Sequence, residues 1–297
     1  MKLNQLRYKP LNGWLRGAVL GLITTIVATP PTHALIPYVY EPSPLELKGA
    51  SLGIGRTAAQ LLQLGQPKEA ALLAALAVRL QPEDERLWSI FAEAQLRSDQ
   101  LDAASHSLAR AKQLNPKKAG LWFAEASLAL RDNRPADAVS LLIQGLELDP
   151  NNAGAYFDLG NARVMQANLQ IALEAFEKAS GLQPTFWEAV NNQGIVLFEM
   201  GKIKAAINRW RRVLQIKRNA EPMLALAAAL NQINPDSTEA LALANQALSE
   251  NPNYVLPRHQ KEQLWGERLR QATSHLLTNP NLRSAVERAE ANADTNQ

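Results

Sequence analysis

Cysteine is absent from all 297 residues. Disulfides, thiolate zinc sites, cysteine nucleophiles and an acylated lipoprotein cysteine are therefore excluded. Long apolar runs are missing too. The clearest, residues 17–29 ("GAVLGLITTIVAT"), spans 13 residues, against the ~20 that a membrane-crossing helix needs. Gly and Pro, at 15 and 17 residues, are too few for a collagen-like or low-complexity chain. Residues 1–34 contain no acid at all, only Lys2, Arg7, Lys9 and Arg16. Without that stretch the body holds 27 basic against 28 acidic residues. The formal charge of +3 thus belongs to the leader, and a balanced body has no general attraction for nucleic acid.

What is present in the leader is a basic flank, an apolar stretch and then "PPTHA", with Thr32 and Ala34 as small residues before a candidate cleavage point. Residues 1–34 read as an export signal cut after Ala34, or as a retained N-terminal membrane anchor. In either reading the N-terminal cations favour an N-inside orientation, with the body exported or membrane-associated across the bilayer. Pro37, Pro42 and Pro44 make residues 35–50 an extended proline-rich spacer.

The body repeats itself. Pro82, Pro116, Pro150 and Pro184 are spaced by 34 residues; the next two slots hold Arg218 and Pro252. Taking this proline as position thirty-two divides the chain into units 51–84, 85–118, 119–152, 153–186, 187–220 and 221–254. Position twenty is then Ala70, Ala104, Ala138, Ala172, Ala206 and Ala240. Position eight is Ala58, Ala92, Ala126, Gly160, Gly194 and Ala228. Position four is mostly large and apolar (Ile54, Trp88, Trp122, Tyr156, Val190, Leu224), and position twenty-four includes Leu108, Leu142, Phe176 and Trp210.

Small residues at two fixed positions let two antiparallel helices approach closely, and large ones fill the gap to the next pair. Proline ends the second helix. Such a hairpin buries too little alone and must stack on its neighbours. The expected fold class is all-α: a superhelical solenoid of about six hairpins. Gly53 and Gly55 predict a short or frayed first helix. Beyond residue 254 the period fails, but Trp265, Leu269, Ala272 and Leu276 form one helical stripe. Residues 255–280 are therefore expected to cap the array, and the polar residues 281–297 to form a disordered tail.

These columns resemble the tetratricopeptide repeat (TPR), whose right-handed superhelix is a non-catalytic protein-binding scaffold. The resemblance implies that first-helix positions two, five, six, nine, twelve and thirteen line a concave groove. In the middle units these are Phe123, Ser127 and Arg131, then Phe157, Asp158, Asn161 and Met165, then Glu188, Asn191, Asn192, Phe198 and Glu199. Aromatics interleaved with amides suit an extended protein or peptide segment. Asn161 and Asn192 match the two asparagines of the carboxylate clamp of chaperone-tail TPR domains. The clamp's cations are replaced by Phe157, Pro222 and Leu226, so a chaperone C-terminus is not the expected ligand. Leader, spacer and array also resemble membrane-linked TPR assembly factors of cyanobacteria and chloroplasts, among them POR-interacting TPR proteins; this implies a role in thylakoid, photosystem or pigment-enzyme biogenesis. The alternative is a periplasmic TPR protein of envelope or secretion assembly.

Other motifs carry little. "GIGRTA" (53–58) matches a dinucleotide fingerprint but lacks the strand that such a site requires. His33, His106, His259 and His275 make no paired metal-ligand spacing. Neither catalysis, cofactor nor metal is expected, and no nucleic-acid partner. Residues 200–220 contain Lys202, Lys204, Arg209, Arg211, Arg212, Lys217 and Arg218 without an acid. They predict a basic convex face, either simply solvated or facing an anionic membrane surface or an acidic partner.

Overall fold

A computed structural model describes residues 40–235 and 237–294. The leader falls outside the described residues. Residues 43–297 form one compact unit, and its described part is helical throughout: the all-α hairpin solenoid expected.

Twelve helices make the six hairpins: α1 (Pro44–Gln63) with α2 (Pro67–Leu80), α3 (Glu85–Arg97) with α4 (Leu101–Leu114), α5 (Ala119–Arg131) with α6 (Pro135–Leu148), α7 (Ala153–Met165) with α8 (Leu169–Leu182), α9 (Trp187–Glu199) with α10 (Ile203–Ile216), and α11 (Ala220–Ile233) with α12 (Thr238–Glu250). Each helix packs on its hairpin partner, and the second helix of each hairpin packs on the first helix of the next. The six recurrent alanines sit at these contacts. Ala70, Ala104, Ala138, Ala172 and Ala206 are fully buried and Ala240 nearly so.

Two columns vary together. Where position twenty-four is Phe176 or Trp210, position eight is Gly160 or Gly194, and a Cβ on either glycine would lie 2.4 Å or 2.6 Å from the ring. Where position eight is alanine, position twenty-four is Ala74, Leu108, Leu142 or Ala244. The aromatic ring takes the volume of the missing methyl.

The turn within each hairpin has its own rule. Position fifteen has positive φ in five units: Gly65, Asp99, Asn133, Ala167 and Gly201. This left-handed residue ends the first helix and is cheapest for Gly, Asn or Asp. The sixth unit holds Pro235, whose ring forbids that conformation. There the second helix starts under a Ser237 side-chain cap instead.

Three expectations are corrected. The first helix is neither short nor frayed, and it begins inside the expected spacer: α1 runs 20 residues from Pro44. Ser43 and Glu46 cap it reciprocally, with Pro44 in its first turn. Residues 255–280 do not form one capping helix. A short 3-10 turn (Pro252–Val255) leads to α13 (Pro257–Glu262) and, after a break at Leu264 (φ +60°), to α14 (Glu267–Leu277). Finally, the region assigned to a disordered tail holds α15 (Arg283–Asn292). Ala285 and Ala289 of this end are buried against Leu248 and Val255, and Leu282 joins the main core, so the polar composition hides a narrow apolar stripe.

Candidate functional site

The resemblance assigns the concave face to the first helices α1, α3, α5, α7, α9 and α11. Its two halves differ. Over units one to four the face is open; over units five and six it is covered by α14, which lies against α9 and α11.

In the open half, Ser127 and Arg131 are exposed, and Asp158, Asn161 and Met165 are half-buried. The Ser127 hydroxyl donates to the Asp158 carboxylate at 3.3 Å, and no ion pair to Asp158 forms among the described residues. Partial burial pushes its carboxyl up to about 6, and the Ser127 hydrogen bond offsets this only in part. Asn192 donates to Asn161 at 3.0 Å, and Asn191 to Asn192 at 3.3 Å. The amides thus form a chain with each other across the joint of units four and five.

Arg131 is not a free groove cation. It donates to the Leu96 carbonyl at 3.4 Å and pairs with Asp99 at 2.9 Å. Arg97, one unit earlier, makes the equivalent bond to Leu62 at 3.2 Å. At position thirteen of units two and three, therefore, an arginine ties the first helix to the end of the preceding first helix; units four and five have Met165 and Glu199 in that place.

The rings expected to project into the groove pack between helices instead. Phe157 lies 5.7 Å from Phe176 and 5.0 Å from Phe186. Phe123 is half-buried over Gly145 of α6, and Phe198 is buried 6.0 Å from Trp210. Helical spacing alone does not tell a ring aimed inward from one wedged sideways between hairpins.

In the closed half, Asn191 is 1 % exposed and Glu199 is committed to the chain itself. The Glu199 carboxylate accepts the backbone amides of Arg268 at 3.2 Å and Leu269 at 2.9 Å, capping the first turn of α14. A Cβ on Gly266 would overlap that carboxylate. Leu264 lines a small apolar gap together with Val164, Phe176, Asn192, Ile195 and Val196. The Trp265 indole donates to Glu221 at 3.0 Å, and Glu188 lies close enough to repel Glu221. Burial pushes the Glu221 carboxyl up, against the hydrogen bonds from Trp265, Asn191 and Tyr254. Burial and the adjoining Glu221 also push the Tyr254 hydroxyl up. The sequence showed the stripe of α14 but not where it would dock.

On the outer side, Arg209 pairs with Glu177 at 3.0 Å and Arg211 with Glu239 at 3.1 Å, linking second helices of successive units. Lys202, Lys204 and Arg212 are exposed, with no carboxylate partner among the described residues. No cluster able to hold a metal occurs among the described residues, and none of their helices is long and apolar enough to cross a membrane.

A tetratricopeptide repeat family model matches residues 123–185. No curated protein sequence matches the chain. Among solved structures, Pseudomonas aeruginosa PilF superposes with a TM-score of 0.61 at 16 % identity, over 77 % of this chain and 98 % of that one. PilW, described as a widely conserved type IV pilus biogenesis factor, gives 0.61 at 18 % identity, over 75 % and 97 %. MamA from Desulfovibrio magneticus gives 0.53 at 19 %, over 58 % and 95 %. The likeness to POR-interacting TPR proteins receives no support from these matches. The hairpin that carries the family match recurs at one period from Ser51 to Tyr254, and in fold the chain is a helical-hairpin solenoid of the tetratricopeptide-repeat kind.

Proposed function

We propose that the chain is an assembly scaffold that holds a protein segment in the open groove of units one to four. The observation that carries this is Asp158, a half-buried carboxylate with a hydroxyl for a neighbour and no cation paired with it among the described residues. A lysine or arginine of a partner would supply the missing charge. With Phe123, Phe157 and Phe198 engaged between helices, contact falls to Ser127, Asp158, Asn161 and Met165.

The setting we favour is an exported or membrane-tethered factor of envelope assembly. The leader's basic-then-apolar order supports export, and the likeness in shape to PilF and PilW supports an envelope role over a thylakoid one. A photo-crosslinking residue at Ser127 or Met165, in cells, should give a discrete protein adduct, whereas one at the outer position Glu174 should not. Equal labelling from both faces, or none from the groove, overturns the reading.

A second reading has its own observation: Lys202, Lys204 and Arg212 are exposed near the start and middle of α10, with no carboxylate partner among the described residues. We infer contact with an anionic surface. Replacing all three by glutamate should abolish binding to vesicles rich in anionic lipid. Binding that is absent from the start, or insensitive to salt, removes this reading.

A further inference from the structure

The concave face of α9 and α11 is already occupied, and its occupant shows what it recognises. Leu264, half-buried, closes one side of a small apolar gap bordered by residues of α7, α8 and α9, Trp265 is buried and bonds Glu221, and the bare first turn of α14 meets the Glu199 carboxylate through Gly266. Leu269, Thr273 and Leu276 follow, fully buried, along the same helix face. The feature read is therefore a leucine and a tryptophan, then a glycine, then an amphipathic helix.

The seat is also poorly satisfied. Among the described residues, seven buried side-chain polar atoms lack a partner, and four of them lie in this segment or its seat: on Asn191, His259, Arg270 and Thr273. Buried polar atoms without partners are costly to close over. Open clefts border the segment, one of about 410 Å³ between α11 and α14 and one of about 330 Å³ among α13, α14 and α15.

We propose that the concave face of units five and six is a second binding surface, for a helical partner segment opening with Leu-Trp-Gly, and that residues 257–277 are an intramolecular stand-in that such a partner displaces. The inference rests on the scaffold reading but on the other half of the groove. A tethered segment competes at a high effective concentration, so the intact chain binds an external copy weakly.

The test uses the full chain and a labelled synthetic peptide of residues 257–277. Weakening the resident segment with Leu264→Ala and Trp265→Ala should tighten peptide binding at least tenfold over the unmodified chain. Adding Ile195→Ser to the seat should abolish it. Peptide binding no tighter in the Leu264→Ala/Trp265→Ala chain, with its helix content intact, overturns the proposal. If that chain fails to fold, hydrogen exchange on the unmodified chain decides. Exchange at 267–277 at least tenfold faster than in α11 supports a displaceable segment, and equal protection overturns it. Asp158→Asn should leave peptide binding unchanged, so failure here does not touch the reading of the open groove.

Discussion

The carboxylate of Glu199, at the end of α9, accepts the amide of Leu269 at 2.9 Å, 70 residues further along the chain. A helix start that is bonded by a side chain from another repeat is fixed in place by that repeat. Glu199→Ala removes the acceptor for two amides and should cost about 1–2 kcal/mol. Exchange of the amides at 268–270 should rise about tenfold, that being what ~1.4 kcal/mol amounts to. Unchanged exchange there would mean that packing alone seats α14.

The exchange of volume between positions eight and twenty-four gives a second expectation. Gly160→Ala places a methyl 2.4 Å from Phe176 Cε1, and overpacking of this kind costs about 1–3 kcal/mol. Combined with Phe176→Leu, the pair reproduces the alanine–leucine match of Ala92 with Leu108 and Ala126 with Leu142. Denaturant melts should show the double variant more stable than the two single losses predict, by about 1 kcal/mol or more. Simple additivity would refute the exchange.

Asp158 makes a pH-dependent prediction. Its carboxyl has a pKa of about 6 in the fold against 3.8 for the free group. Between those values the folded chain binds the extra proton, so stability from this group falls as pH rises from about 4 to about 6 and is lowest above 6. Asp158→Asn should raise stability at pH 7 by up to about 3 kcal/mol, from roughly two pKa units, and change little at pH 4. Thermal melts at the two pH values check this. A partner that places a cation there should bind more weakly as pH drops through 6.

Much of the solenoid could be read from the sequence because its contacts recur. Ala70 to Ala240 announced the close approach six times over, and all six are buried. What recurs once cannot be read this way. The bonds from Leu269 to Glu199 and from Trp265 to Glu221 have no counterpart in other units. Trp265, Leu269 and Leu276 were legible as an apolar stripe, but a stripe does not state which surface it will cover. The groove suffered the reverse fault. Phe157 stands at a lining position by count, yet its ring turns toward Phe176 and Phe186, because wedging there buries more of it than the groove would. Asp158 and Ser127 were visible as polar lining residues. Their contact, 31 positions apart, follows from the stacking of one unit on the next.

Arg97 and Arg131 act as rivets, each holding the last turn of one inner helix to the last turn of the helix before it. Met165 cannot serve as one, so the seam between the third and fourth hairpins lacks the brace that stiffens the two before it. That seam is held instead by the packing of α6 on α7 and by the Ser127 hydrogen bond to Asp158, so its cohesion rests on apolar contact and one hydroxyl rather than on a guanidinium.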